Sequence, residues 1–467
     1  MCRVETASPT LSSEGLAITL QVLSSYGWRL RIADVEAAFL RGEDLKRPTG
    51  RILVKPPKDG IPGVNDGELV ELIKPVYGLV DAPRLWWESL SKTLVGLGMK
   101  ASELDGCTFY KRDDVGNLIG IIAFHVDDLI FGGNQQFMVE VFEPLKAKYP
   151  FKHVKEGSGE FLGKHLVQKG DMSIVIQQKE YACQLDCVHV SKERRKDKEM
   201  DTTDQEKGQM RAVLGELNWL VTGSRPDLAA SCSLLQQRVV KSKVKDLLEL
   251  NRVVSMARDH AAVEIHVKPI NPKELEICAW SDASFANAED WKSQGGYMIC
   301  ATTRDLREDR WAQISPWRWR SSKQERQVAS TLGAELLTLS RTIAEAKWMR
   351  SLWCEANFAG YDLQEDQVWT SRIPVTLAID SKPAFDHIRG QTMTIKDKRL
   401  AIEMLLVKRD VKKEGVEVKW LPTEHMLVDG LTKMGAPMEL LRKALNEGRM
   451  ILVENPVIMQ WTGKKKK

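Results

Sequence analysis

Apolar and polar residues follow two different periods along the chain, and the alternation between them predicts both helices and strands. Residues 13–28 (SEGLAITLQVLSSYGW) and 82–99 (APRLWWESLSKTLVGLGM) carry apolar side chains at helical spacing. The second helix is expected to begin at Pro83 and to end before Gly98. Between these helices, residues 29–40 (RLRIADVEAAFL) predict a strand that carries Asp34.

The C-terminal part predicts a second α/β arrangement, separated from the first by the proline-containing stretch HVKPINPKE. LEICAWSDASFAN, GGYMICATT and SPWRWRSSK predict three successive strands, and VTLAIDS and VEVKWLP predict two more. A long helix lies between the two groups of strands, because Leu332, Leu336, Leu339, Ile343 and Ala346 repeat at the spacing of one buried helical face. Residues 191–211 have almost no apolar side chains and predict an exposed loop.

Composition and charge narrow the class of protein. The chain has 467 residues, of which 43% are hydrophobic and 28% charged, and this predicts two or three globular domains. The net charge of only +4 means that a nucleic-acid partner would have to meet a local basic surface. Eight scattered cysteines, a polar N-terminus and short apolar runs predict an intracellular protein with reduced thiols, neither secreted nor membrane-bound.

Two adjacent aspartates, Asp127 and Asp128, interrupt the apolar stretch IIAFHVDDLIFGG. Burying two carboxylates together costs on the order of several kcal/mol without a compensating cation, so one interpretation is a metal site and the other is a turn with solvated aspartates. Asp34 also ends an apolar strand. Three carboxylates at neighbouring strand ends could hold two magnesium ions roughly 3.5–4 Å apart for phosphoryl transfer. Phe39, five residues after Asp34, could lie against a sugar.

A second set of acids places one carboxylate on each C-terminal element: Asp282, Glu335, Asp380 and Asp429. The first and third end apolar strands, the second borders the apolar face of the long helix, and the last opens or precedes a helix. Gathered at one sheet edge, they would form a two-metal hydrolytic site for magnesium or manganese, because every ligand is an oxygen. Taken singly, each is more commonly a helix cap or a surface acid.

The chain resembles the Pol region of copia-type LTR retrotransposons through an ordered series of motifs. Between residues 34 and 229 these are DVEAAFLRGE, ILVKPP, KPVYGLVDAPRLWW, HVDDLIFGG, EFLGKHL, IQQKEY and LGELNWLVTGSRPDLA. Further on they are KSQGGYMI, WRSSKQERQVASTLGAE, AKWMRSLW and VKWLPTEHMLVDGLTK. The resemblance covers nearly the whole chain. It implies an α/β (α+β) protein in which a right-hand polymerase palm and fingers precede a ribonuclease H-like mixed-sheet domain.

The resemblance also assigns roles to the acids. Asp34, Asp127 and Asp128 match the metal-binding aspartates of the reverse transcriptase, and Phe39 matches the aromatic gate that excludes a ribose 2′-hydroxyl. The second set matches the Asp-Glu-Asp-Asp order of the ribonuclease H: Asp282, Glu335, Asp380 and Asp429. The implied domains are a reverse transcriptase at 1–190, truncated at its N-terminus, a thumb or connection region at 191–271, a ribonuclease H-like domain at 272–452 and a basic tail at 453–467.

The implied partners are an RNA template, a DNA primer, an RNA–DNA hybrid and deoxynucleoside triphosphates, with magnesium or manganese as cofactor. Other polyprotein segments are further candidate partners, and no membrane is expected. The implied location is intracellular, either cytoplasmic in a virus-like particle or nuclear.

Three departures from the family pattern bear on activity. The chain begins just before the helix that precedes the Asp34 strand, so we expect the upstream strands that grip the incoming triphosphate to be missing. Val80 and Asp81 stand where the family has Lys-Gln, and His125 replaces the usual aromatic residue before Val-Asp-Asp. We therefore expect weak or no primer extension. Two other interpretations stay open: a nucleic-acid-binding remnant without catalysis, and a ribonuclease that keeps the polymerase fold as a scaffold.

Overall fold

The computed structural model describes residues 6–45, 50–65, 67–390 and 395–452. Residue contacts divide the chain into two compact units: Met1–Leu23 with Trp28–Leu162, and Ser24–Gly27 with Gly163–Lys467. The domain boundaries predicted at residues 190 and 271 stay predictions, and the predicted tail at 453–467 lies outside the described residues.

The first unit is built on an antiparallel sheet. Its helices are α1 (Ser13–Ser25), α2 (Ala82–Gly96), α3 (Gln135–Phe137) and α4 (Glu143–Lys148), and its strands are β1 (Arg31–Val35), β2 (Leu53–Val54), β3 (Val70–Glu71), β4 (Lys100–Ala101), β5 (Thr108–Arg112), β6 (Leu118–His125), β7 (Asp128–Gly133), β8 (Phe151–Glu156) and β9 (Ser158–Phe161). Six strands pair in the order β4-β5-β6-β7-β1-β8. β2 and β3 pair as a short antiparallel hairpin.

The turn predicted at the aspartate pair is confirmed, because it lies at Val126 and Asp127, between β6 and β7. Gly132 and Gly133 belong to β7, where a larger side chain would not fit. The reason is packing, because a Cβ atom at Gly133 would lie 2.5 Å from the ring of the fully buried Phe137. The small residues therefore allow close packing of α3 on the sheet.

The second unit contains the remaining elements. Its helices are α5 (Lys179–Gln184), α6 (Asp204–Gly223), α7 (Ala229–Arg238), α8 (Val244–Asp259), α9 (Arg304–Arg307), α10 (Thr331–Asn357), α11 (Asp366–Thr370), α12 (Lys382–Arg389), α13 (Lys398–Glu414) and α14 (Glu439–Glu447). Its strands are β10 (Lys164–Gln168), β11 (Ile174–Gln177), β12 (Ile265–Val267), β13 (Leu275–Ser284), β14 (Gln294–Thr303), β15 (Ala312–Gln313), β16 (Ser315–Lys323), β17 (Val375–Ile379), β18 (Val416–Trp420) and β19 (Arg449–Met450).

A five-stranded mixed sheet forms the core of the C-terminal part, in the order β16-β14-β13-β17-β18. β14 runs antiparallel to its two neighbours, β16 and β13, whereas β13, β17 and β18 run parallel. Helix α10 packs on β13 and β14 through the predicted apolar face, in which Leu336, Leu339 and Ile343 are buried. This arrangement brings the C-terminal ends of β13 and β17 to the same edge of the sheet.

The prediction of an exposed loop at residues 191–211 is wrong for its second half, because α6 begins at Asp204. Thr203 and Glu206 form a reciprocal capping box, in which the Thr203 hydroxyl accepts from the Glu206 N–H and the Glu206 carboxylate accepts from the Thr203 N–H. The cap satisfies free N–H groups of the first turn, so the helix can begin in a polar stretch.

None of the helices in the described residues has both the length and the hydropathy of a membrane span.

A buried ion-pair network ties the residues before the five-stranded sheet to the last helix. Asp227, fully buried, accepts two hydrogen bonds from Arg225 at 2.8 and 2.9 Å and one from Arg442 of α14 at 2.9 Å. The turn Pro226–Leu228 also contacts the turn Asp429–Leu431. The stretch around residue 227 is therefore part of the packing that supports the C-terminal domain.

Candidate functional site

The three N-terminal aspartates lie at one end of neighbouring strands. Asp34 on β1 stands opposite Asp128 on β7, and Asp127 lies in the tight turn between β6 and β7. The turn requires a left-handed residue, Val126, with φ of +58°. The indole N–H of Trp86 on α2 donates to the carbonyl oxygen of Val126 at 2.7 Å and holds this conformation.

A lysine shares this site with the aspartates. Oδ2 of Asp34 accepts a hydrogen bond from Nζ of Lys152 at 3.0 Å, while its Oδ1 is buried without a hydrogen-bond partner. Burial raises the pKa of Asp128, and the charges of Asp127 and Asp34 raise it further, against the opposing effect of two nearby histidines. The site therefore concentrates negative charge, and Lys152 neutralises part of it.

Phe39 and Asp81 are both buried. Phe39 lies in the turn Ala38–Arg41, and its ring centroid is 4.5 Å from that of the exposed Tyr77. Asp81 directly precedes α2 and is 2% exposed, whereas its neighbour Val80 is 71% exposed. The carboxylate of Asp81 is thus directed into the protein. Of the two residues that differ from the family pattern, Val80 is the one that faces solvent.

Three acids of the second set meet at the edge of the five-stranded sheet. Asp282 lies near the end of β13, Asp380 follows the parallel neighbour β17, and Glu335 lies in the second turn of α10. One carboxylate oxygen from each lies within 4.8 Å of the other two. In the described part of the chain, this is the one group of acids close enough to share a metal ion, and the three N-terminal aspartates do not reach that proximity.

Burial makes this cluster electrostatically unfavourable by itself. Burial raises the pKa of Asp282 to about 7, with a further contribution from the charge of Asp380. Burial raises the pKa of Glu335 to about 9, and the charges of Asp282 and Asp380 add to this. Oε2 of Glu335 is buried and has no hydrogen-bond partner. A divalent cation with oxygen ligands would relieve both the repulsion and the unsatisfied oxygen, so the residues fit magnesium or manganese.

Hydrogen bonds fix the orientation of Asp380. Its Oδ2 accepts from the Thr423 hydroxyl at 2.9 Å, and its backbone carbonyl accepts from the indole N–H of Trp420 at 2.9 Å. Burial also raises the pKa of Asp380, which the hydrogen bond from Thr423 opposes. Trp420 lies in β18 and Thr423 in the turn after it, so this strand and turn fix the orientation of the Asp380 carboxylate.

Asp429 stands beside the cluster without belonging to its closest group. It opens the turn Asp429–Leu431, and its carboxylate forms an ion pair with Lys433. The Thr432 hydroxyl donates to Oδ2 of Asp282 at 2.5 Å and links this turn to the cluster. Gly296, opposite Asp282 on β14, allows the approach, because a Cβ atom there would lie 2.8 Å from Cβ of Leu431.

Lys433 is a functional candidate that the sequence reasoning did not identify. Burial would lower its pKa, but its hydrogen bond to Asp429 and the charges of Asp282, Asp429 and Asp380 raise it. Its ammonium group is therefore a cation beside the acid cluster. The available signal was its position four residues after Asp429 in LVDGLTK, a spacing that suits an ion pair on a helical turn. Thr432 in the same motif was also missed, because its hydrogen bond to Asp282 depends on the approach of this turn to β14.

Comparison with known proteins relates the chain to reverse transcriptases and to retrotransposon polyproteins. Residues 3–189 match the family model for reverse transcriptase (RNA-dependent DNA polymerase). The chain is 24% identical over 442 residues to the Retrovirus-related Pol polyprotein from transposon RE1 of Arabidopsis thaliana, covering 92% of this chain and 28% of the relative. It is 22% identical over 450 residues to that from transposon TNT 1-94 of Nicotiana tabacum, covering 92% and 32%. These matches support a Pol segment of a copia-type retrotransposon.

The chain spans 28% and 32% of the lengths of these two relatives. Among solved structures it is similar to the foamy viral protease-reverse transcriptase in complex with RNA/DNA hybrid, with a TM-score of 0.49 and 10% identity over 93% of this chain and 48% of that chain. The predicted α/β (α+β) class is confirmed: an antiparallel six-stranded sheet precedes a five-stranded mixed sheet, and helices accompany both.

Proposed function

We propose that this Pol segment hydrolyses the RNA strand of an RNA–DNA hybrid with the help of magnesium or manganese. The observation that carries the proposal is the buried group formed by Asp282, Glu335 and Asp380, whose oxygens lie within 4.8 Å of one another. When bound, divalent cations would supply an activated water and stabilise the leaving 3′-oxygen. Because the acids come from two strands and a helix of one domain, their spacing is set by the fold.

The surrounding residues give each acid a separate task. Asp282, on the central strand β13, would be one ligand of the cations, and the Thr432 hydroxyl donates a hydrogen bond of 2.5 Å to its Oδ2. Glu335 and Asp380 would be the other ligands from this group. Asp429 would bind a second cation once it separates from Lys433, with which it forms an ion pair. Lys433 would then be available to a phosphate oxygen of the hybrid.

We further propose that Asp34, Asp127 and Asp128 form the metal site of an RNA-directed DNA polymerase, with Phe39 as the gate against ribonucleotides. Support comes from the reverse transcriptase family match and from the pairing of Asp34 with Asp128. The ion pair between Lys152 and Asp34 favours low polymerase competence. The partners would be an RNA template, a DNA primer and deoxynucleoside triphosphates. The location that we propose is intracellular, in a virus-like particle or the nucleus.

The test is cleavage of a hybrid labelled on its RNA strand by the full chain with magnesium. We expect cleavage of hybrid RNA and no cleavage of the same RNA alone. Asp282→Asn should abolish it, since the change removes a charged ligand without changing side-chain size. Asp386→Asn is the matched control, because Asp386 is an exposed aspartate of α12 in the same domain. A well-folded chain that is inert with both metals would favour a binding remnant without catalysis.

A further inference from the structure

The loop between β13 and β14, residues 285–293, presents an aromatic side chain to solvent at the end of the sheet where Asp282 lies. It leaves β13 after Ser284, two residues beyond Asp282, and returns at Gln294. Trp291 in this loop is 79% exposed. An indole ring in water is an unsatisfied apolar surface, and such exposed aromatic residues commonly mark binding sites.

The loop backbone is strained to hold this position. Three of its residues, Ala286, Asp290 and Trp291, have φ angles of +52°, +59° and +57°. Residues other than glycine rarely adopt this left-handed conformation, and a bulky residue such as Trp291 is strained there. A loop that needed only to connect two strands could avoid this cost by carrying glycine at these positions.

Hydrogen bonds on several sides hold the strained conformation. The Ser293 hydroxyl accepts from the N–H of Ala286 at 3.2 Å, and the Gln327 side-chain amide donates to the carbonyl oxygen of Asp290 at 2.5 Å. The backbone N–H of Glu289 donates to the side-chain oxygen of Gln237 at 3.3 Å. The loop is therefore a defined support for Trp291.

The same loop is joined to the acid cluster through one asparagine. Oδ1 of Asn287 accepts from the N–H of Gln294 at 3.1 Å, and its Nδ2 donates to the carbonyl oxygen of Thr432 at 2.8 Å. The Thr432 hydroxyl in turn donates to Asp282. Two side chains thus connect the loop with the central acid of the cluster.

We propose that Trp291 contacts the nucleic-acid substrate at this site, by stacking on an exposed base or sugar face of an RNA–DNA hybrid. The inference rests on the proposed function, because an RNA–DNA hybrid bound at the acid cluster is the molecule that would reach this loop. Lys292 in the same loop is half-buried, and Nζ of Lys323 lies 3.9 Å from Oδ2 of Asp290, so two cations that can meet phosphates lie in this loop or against it. An aromatic ring with adjacent cations is the pattern of a nucleic-acid contact.

The test compares Trp291→Ala with Trp311→Ala. Trp311 is a matched control because it is also exposed, at 56%, and it directly precedes β15. Gln313 of β15 accepts a hydrogen bond from Thr302, at the end of the β13–β14 hairpin opposite to Asp282. Binding of a fluorescent RNA–DNA hybrid to the full chain would be followed by anisotropy, with calcium in place of magnesium to prevent turnover.

We expect Trp291→Ala to weaken hybrid binding about tenfold, Trp291→Phe to retain most of the affinity and Trp311→Ala to leave it unchanged. Equal affinity of Trp291→Ala and wild type, equal losses in the two alanine variants, or no hybrid binding at all would overturn the inference. The proposed hydrolysis fails separately: a wild-type chain that never cleaves but whose hybrid binding depends on Trp291 would refute hydrolysis and support the contact.

Discussion

Replacing Glu335 by glutamine should stabilise the metal-free protein at alkaline pH. The glutamine keeps the shape of the protonated acid and removes a charge that burial and two neighbouring acids disfavour. The pKa of Glu335 is about 9 in the fold and 4.5 in the unfolded chain, so the unfolded chain loses this proton first as the pH rises. The wild-type fold therefore loses stability between pH 4.5 and about 9. The gain from the substitution should therefore be small at pH 5 and large at pH 8.

The magnitude follows from the same pKa. At pH 8 the pH lies about 3.5 units above the unfolded pKa of Glu335, while the folded carboxyl group still holds its proton. This difference lowers the free energy of unfolding by about 5 kcal/mol at most. Part of this repulsion is shared with Asp282 and Asp380, so a net gain of about 2–3 kcal/mol is expected. For a folded unit of this size the midpoint of thermal unfolding should rise by roughly 5 °C.

The assay is thermal unfolding of the full chain in a chelating buffer at pH 5 and pH 8, followed by circular dichroism. Glu424→Gln is the matched control, because Glu424 is an exposed glutamate of the same domain. Added magnesium should stabilise the wild type at pH 8 and should stabilise Glu335→Gln less. If Glu335→Gln were less stable than wild type at pH 8, or equally shifted at both pH values, the electrostatic account of the cluster would be refuted.

Three further predictions concern the support of the site and its ligands. Asp227→Asn leaves the buried guanidinium of Arg225 and the half-buried one of Arg442 without their anion, so it should lower the free energy of unfolding by about 3 kcal/mol in urea titrations. Asp186→Asn, at a side chain that is 96% exposed, should not lower it, and equal stability of the two variants would contradict the network. Lys433→Met removes a cation beside the acids, so calorimetry should show magnesium binding tightened roughly threefold, and unchanged affinity would argue against this electrostatic role. Hybrid affinity should fall as salt rises, because phosphate contacts release counterions, and salt-independent binding would count against a nucleic-acid partner.

The main elements could be predicted because their apolar patterns reflect burial directly. The three strands around LEICAWSDASFAN were predicted in order, since β13 and β14 are almost entirely buried and bounded by polar turns. The long helix α10 follows from one apolar stripe that faces the sheet. The start of α6 was missed because a capping box, a local arrangement of two polar side chains, extends the helix into a stretch without apolar residues.

The candidate site was predictable only in part. Convergence of Asp282 and Asp380 follows from their places at the ends of strands, and the parallel pairing of β13 and β17 brings them together. The pairing of Asp429 with Lys433 and the hydrogen bond from Thr432 depend on the approach of a distant turn to β14, which no local pattern encodes. The strained loop that carries Trp291 was likewise invisible, because left-handed residues other than glycine have no sequence signal of their own.

The most direct test measures manganese occupancy and RNA cleavage on the same samples. Free manganese would be followed by electron paramagnetic resonance as the metal is titrated into the full chain with bound hybrid, and cleavage would be sampled at each point. The account predicts that Asp282→Asn combined with Asp380→Asn loses both bound manganese and cleavage, whereas Asp127→Asn loses neither at this site. If the double variant bound as much manganese as wild type, or if it cut the RNA strand at the wild-type rate, the Asp282–Glu335–Asp380 cluster would not be the catalytic metal site.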